Sequence, residues 1–175
     1  MLLRVATNLH ENMRRAGVDP PPIGVIAYSL DIIANTVSIT AATLAIGLMS
    51  GNLSGMMTCL GALAALRFVS GGVHLPTSAA CIALSTAIIT TIPYLPLSPG
   101  VNQTITAAAF IIVAVRATTN YDKHARIPRK YYPLMRIVAC VIVASNFVIA
   151  SDILALTYIV QAVTLLPFLK EVKTR

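Results

Sequence analysis

IGVIAYSLDIIANTVSITAATLAIGL, running from Ile23 to Leu48, contains one charged side chain, Asp31. At about 1.5 Å per residue, roughly 20 apolar residues span the hydrocarbon core of a bilayer. This stretch is long enough to cross. A soluble helix of this length would carry a broad polar face, whereas here polar residues are confined to a narrow stripe.

The same composition recurs along the chain. Of its 175 residues, 57% are hydrophobic and 11% charged, and the mean hydropathy is +0.79. A soluble domain carries about a quarter charged residues, so the composition argues against folding in water. Six apolar segments are expected at about Ile23–Leu48, Leu53–Phe68, Leu75–Leu95, Gln103–Val115, Leu134–Ala150 and Ile153–Leu169. The last two meet in a tight turn at Ser151-Asp152. Leu2, Val5, Ala6, Leu9 and Met13 recur at helical spacing ahead of them, with Arg4, Asn8, Glu11, Arg14 and Arg15 largely off that stripe. That pattern predicts an amphipathic helix lying in the interface, the alternative being a basic tail. Gly17 and Pro20-Pro21-Pro22 end it, and no uninterrupted apolar run of a cleavable signal precedes them. The expected fold class is therefore all-α: a polytopic membrane helix bundle of six transmembrane helices preceded by an amphipathic interfacial helix. It forms a single membrane domain over residues 1–175, with the interfacial helix at 1–20, the bundle at 23–169 and a cytosolic tail at 170–175.

The net charge of +7 reads as topology rather than as a nucleic-acid surface. Arg4, Arg14 and Arg15 precede the first segment, Arg67 follows the second, and Arg116, Lys123, Arg126, Arg129, Lys130 and Arg136 lie between the fourth and fifth. Lys170, Lys173 and Arg175 end the chain, and the intervening junctions carry no Lys or Arg. This alternation puts both termini and the two basic junctions in the cytosol.

The first basic junction reads Arg67-Phe68-Val69-Ser70-Gly71-Gly72-Val73-His74-Leu75-Pro76-Thr77-Ser78-Ala79-Ala80-Cys81. Gly71-Gly72 permits a tight bend, and Pro76 suits a first helical turn. The third membrane helix is expected to start near Leu75 or Pro76, with Cys81 in its second turn. Residues seven apart on a straight helix are about 10 Å apart along the axis. For His74 to meet Cys81, His74 must lie outside the helix and fold back over its first turn. An imidazole and a helix N-terminus both favour the nucleophilic thiolate. Arg67 can hold a carboxylate, steady the thiolate or stabilise an oxyanion. Taken by itself, the pair also reads as a packing cysteine and an interfacial histidine, which is the commoner situation.

Arg67, Gly71-Gly72-Val73-His74 and Cys81, at the start of a membrane helix in a six-span chain, resemble the accessory gene regulator B family of membrane cysteine endopeptidases in Gram-positive quorum sensing. The resemblance implies His74 and Cys81 as the catalytic pair, with Arg67 required nearby and Gly71 and Gly72 in support. It implies a basic second cytosolic loop, here Asn120–Pro133, in which Lys123, Arg126, Arg129 and Lys130 bind substrate. Arg stands at several places where the family has Lys, which bears on substrate identity more than on chemistry. The implied substrate is a small AgrD-like propeptide with an amphipathic N-terminal helix and an acidic tail, released as a thiolactone or lactone. The implied setting is the cell membrane, as a homodimer, without a cofactor or nucleic acid.

Other residues fill the background. Cys59 and Cys140 read as packing residues, and His10 and His124 as solvated side chains. The three cysteines form no disulfide framework or metal pattern. The alternative reading of the basic loop is that it does no more than set orientation. Gly47, Gly51, Gly55 and Gly61 suit close helix packing. Asp31 is costly inside a membrane and calls for a partner. With Asn35, Ser38 and Ala42 it forms a stripe expected to face the bundle, where it either orients His74 or neutralises Arg67; the alternative places it at the interface. A small transporter or channel-like protein is the competing function, but no paired broken helices or internal repeat supports it.

Overall fold

The computed structural model describes residues 2–72, 77–118 and 128–166, and within them every regular element is helical. Helix α1 (Leu2–Arg15) packs against α2 through buried Ala6 and leaves Leu3, Val5 and Leu9 exposed. It ends at Gly17, whose φ is +78°. His10, expected to be solvated, is half-buried instead. Its Nδ1 donates to Pro21 O at 3.1 Å, because the proline linker doubles back over the helix.

Helix α2 (Ile23–Ser50) runs 28 residues and stops at Gly51. There a left-handed φ of +71° turns the chain directly into α3 (Leu53–Ser70). Helix α4 (Ser78–Thr91) tightens into a 3-10 turn at Ile92–Tyr94, where Pro93 cannot continue an α-helix. Helix α5 spans Pro99–Arg116 and α6 spans Tyr132–Ala144; α7 (Asn146–Ile149) extends α6 past Ser145. The tight turn expected at Ser151-Asp152 is present. Ala150 takes φ +53°, and the Ser151 hydroxyl accepts from Leu154 N to cap α8 (Asp152–Val163).

Three stretches are long and apolar enough to cross a membrane: α2, α3 and the α6–α7 run Tyr132–Ile149. The other three expected crossings are helical but fall short of that measure. Ser78–Tyr94 and Asp152–Val163 are too short. Helix α5 spends its opening turns on Asn102, Gln103 and Thr104 and ends on Arg116.

Helix α3 lies at the centre, packed on α2, α6 and α8, while α5 packs on α6 and α8. The main core joins Leu66 of α3, Val113 of α5, Val143 of α6 and Tyr158 of α8. A smaller core joins Met56 and Cys59 to Ile89 and Ile92. Cys59 packs there with its Sγ 3.2 Å from Thr157 Oγ1, and Cys140 packs against the main core, as expected of both. Gly47 and Gly55 sit at close approaches, where a Cβ would meet Leu53 Cδ1 at 2.9 Å and Asn52 Oδ1 at 2.7 Å. Gly61 meets nothing within 4 Å and is not a packing glycine.

One polar network ties the turn before α8 to α5. Asn146 donates to Thr106 Oγ1 at 2.9 Å and accepts from Ser151 N at 3.0 Å. Asp152 accepts from Asn102 Nδ2 at 2.7 Å and from Leu97 N at 3.1 Å. Burial makes such bonds obligatory, because an unmatched partner costs about 1–3 kcal/mol.

Candidate active site

Helices α2 and α4, the first and third apolar segments, are direct neighbours. With α3 they line a half-open cavity of about 140 Å³. Ile39, Leu60, Leu63 and Ile89 line its apolar wall; Asn35, Thr36, Arg67, Cys81 and Ser85 supply its polar groups. Asn35 thus faces the bundle as the α2 stripe predicts, whereas Ser38 is exposed.

The start of α4 positions Cys81. Thr77 is extended (φ −129°, ψ 140°), and its hydroxyl accepts from Ala80 N at 3.3 Å, a side-chain N-cap. The described helix begins at Ser78, later than the expected Leu75 or Pro76, because this cap sets the first turn. Cys81 is its fourth residue and closes that turn, with Cys81 N bonded to Thr77 O at 3.1 Å. Its thiol is free and half-buried. Arg67, in the last turn of α3, reaches the same cavity, with its guanidinium in electrostatic range of Cys81 and of Tyr28.

Asp31 is half-buried, and its Oδ1 accepts from Ser78 Oγ at 2.6 Å. A carboxylate is thereby held at the first turn of α4, where the helix dipole favours negative charge. The contact clasps α2 to the residue three positions before Cys81.

His74 lies outside the described residues, as do His124, Lys123 and Arg126. Arg129 opens a 3-10 turn, Arg129–Tyr131. Lys130 is exposed, its ammonium 5.0 Å from the Tyr131 ring centre. Gly71 ends α3 with φ +77° and donates its N–H to Arg67 O, and Gly72 follows at φ +139°. Among the described residues no cluster of His, Cys, Asp or Glu has the makings of a metal site.

Two polar partners escaped the sequence reading. Ser78 is ordinary in a first helical turn, and only tertiary structure reveals its bond to Asp31. Gln161 is fully buried on α8 and bonds to the end of α3. A lone amide inside an apolar segment was the signal for it.

A free thiol and a guanidinium sharing one small cavity at the head of a helix define an all-helical membrane protein with a candidate cysteine site. The sequence has a match at the level of family. The chain belongs to the accessory gene regulator B (AgrB) family, whose model matches residues 4–167, nearly the whole length. That family is linked to processing of the AgrD propeptide in quorum sensing. Comparison with curated proteins and with solved structures gives no match.

Proposed function

We propose that this chain is a membrane-embedded cysteine endopeptidase that cleaves an AgrD-like propeptide through an acyl-enzyme on Cys81. The observation that carries the reading is the shared cavity of Cys81 and Arg67. A thiol of no chemical use has no need of a half-buried cation beside it in an apolar helix bundle, because placing a charge there is costly. His74 is the base. It takes the Cys81 proton as Sγ attacks the scissile carbonyl, then returns it to the amine that leaves when the C–N bond breaks. Arg67 stabilises the charge that develops on the carbonyl oxygen. Asp31 supports the site by fixing the start of α4 through Ser78.

The thioester on Cys81 retains the free energy of the cleaved amide. A cysteine or serine of the same peptide then attacks it, forming a thiolactone or lactone and freeing the Cys81 thiol. Apolar walls favour this outcome by keeping water from the thioester.

The remaining features extend the reading. The alternation of basic junctions supports six crossings with both termini in the cytosol, and the family resemblance implies a Gram-positive cell membrane. The two shorter helical stretches, Ser78–Tyr94 and Asp152–Val163, would then cross with local thinning of the bilayer. Lys123, Arg126, Arg129 and Lys130 attract the acidic propeptide tail, and the enzyme acts as a homodimer.

The test is co-expression with a short peptide that has an amphipathic start, a Cys or Ser and an acidic tail, followed by mass spectrometry. Wild type yields the cleaved cyclic product and Cys81→Ala yields intact precursor while still inserting in the membrane. Wild-type processing by Cys81→Ala would remove the reading.

A further inference from the structure

The bend between α3 and α4 is gripped from the far side of the bundle. Gln161 on α8 is fully buried. Its Nε2 donates to Gly71 O at 2.6 Å and to Ser70 Oγ at 3.1 Å. A carbonyl oxygen can only accept, so the Gly71 contact settles which end of the amide faces the bend. Thr164, one turn on, lies against Gly72. A Cβ built on that glycine would meet Thr164 Oγ1 at 2.7 Å and Gln161 Nε2 at 3.2 Å, at a φ of +139°. From the turn after α5, Thr118 donates its N–H to Ser70 O at 3.0 Å. To do so it takes φ +71°, an uncommon conformation for a β-branched residue. Three residues of the bend are thus held by α8 and by the turns that follow α5 and α8, none of which lines the Cys81 cavity. Strained backbone persists only where its surroundings over-determine it, and such places concentrate at functional sites.

We infer that Gln161 is a positioning residue for the peptidase reaction: by clamping Ser70, Gly71 and Gly72 it fixes the path on which the chain leaves α3 toward His74. The inference rests on the proposed cysteine peptidase. His74 follows Gly72 by two residues, and consecutive Cα atoms are about 3.8 Å apart, so the place of the bend bounds where His74 can reach. A misplacement of about 1 Å at a reacting group can cost about a hundredfold in rate. Gln161 acts on orientation and touches neither cavity nor substrate, so its loss lowers kcat and spares KM.

The experiment uses the full-length protein in proteoliposomes with the propeptide, comparing wild type, Gln161→Met, Gln161→Glu, Ser70→Ala and Cys81→Ala. Gln161→Met keeps the volume and loses both bonds; kcat falls at least about tenfold with KM within about twofold. In Gln161→Glu the buried carboxyl is neutral, its O–H donates to Gly71 O, and most of kcat returns. Ser70→Ala removes one acceptor and gives a smaller loss of kcat at the same KM. Hydrogen–deuterium exchange over residues 68–72 rises in Gln161→Met and not in Gln161→Glu, a readout independent of activity. Unchanged kcat and unchanged exchange in Gln161→Met, with Cys81→Ala inactive, would overturn this inference and leave the peptidase reading standing. A raised KM with unchanged kcat in Gln161→Met would also overturn it. Full cleavage by Cys81→Ala would remove both. Should Gln161→Met not fold, Ser70→Ala decides: wild-type kcat and exchange refute the clamp.

Discussion

Breaking the Asp31–Ser78 contact offers a quantitative test of how α4 is held. The hydroxyl donates to the carboxylate at 2.6 Å, a charge-assisted bond of the stronger kind. Hydrogen bonds to charged groups contribute about 1.5–3 kcal/mol, and water reaches this one, so the lower end applies. If the whole effect falls on the fraction of molecules with α4 correctly seated, about 1.4 kcal/mol corresponds to tenfold in rate. Asp31→Ala and Ser78→Ala should each lower single-turnover cleavage about tenfold. Asp31→Asn keeps an acceptor, and a neutral bond is roughly half as strong, so that variant should lose only about threefold. The double variant Asp31→Ala/Ser78→Ala should also lose about tenfold, because both changes remove the same bond. The assay is precursor cleavage by purified protein in proteoliposomes, with labelling of Cys81 as a control for folding. Multiplication of the two losses to about a hundredfold would refute the clasp. So would an Asp31→Asn variant as damaged as Asp31→Ala, which would mean that the negative charge acts directly on a cation such as Arg67.

Other perturbations separate chemistry from scaffold. Asn146→Leu strands the Ser151 N–H that Asn146 satisfies; it should destabilise the detergent-solubilised protein by about 1–3 kcal/mol, seen as a lower Tm at unchanged KM. Gly72→Ala forces a Cβ into Thr164 at a left-handed φ, and cleavage should fall while precursor capture, measured by pull-down, persists. Cys59→Ala and Cys140→Ala should retain cleavage, since both side chains serve packing. Neutralising Lys123, Arg126, Arg129 and Lys130 together should weaken precursor binding and flatten its salt dependence, because exposed charges act through screened attraction; a topology reporter confirms that the loop keeps its side.

The all-helical membrane character was legible because apolar runs and charge placement are local properties, visible from Ile23 to Leu48 onward. The juxtaposition of Arg67 and Cys81 was legible for a related reason: Gly71-Gly72 breaks the helix between them and turns the chain. The start of α4 was misplaced by a few residues, because Pro76 reads as a helix opener while the Thr77 hydroxyl sets the first turn. The Asp31–Ser78 and Gln161–Gly71 bonds join residues far apart in sequence. Nothing in local pattern announces such pairs, although a polar residue in an apolar segment announces that some partner exists. Ser38 falls on the predicted stripe yet is exposed, because α2 meets neighbours along only part of its face. The length of the crossings was least legible, since 3-10 tightening at Pro93 and the turn after Val163 shorten helices that composition alone extends.

The most direct measurement is the mass of the enzyme trapped during turnover with a propeptide whose internal Cys or Ser is replaced by Ala. Without an internal nucleophile the acyl group has nowhere to pass except to water. Cys81 should then carry the N-terminal fragment of the precursor as a thioester that hydroxylamine releases, and the Cys81→Ala protein should carry none. An adduct on Cys59 or Cys140, or cleavage without any adduct and unaffected by loss of Cys81, would contradict the proposed mechanism.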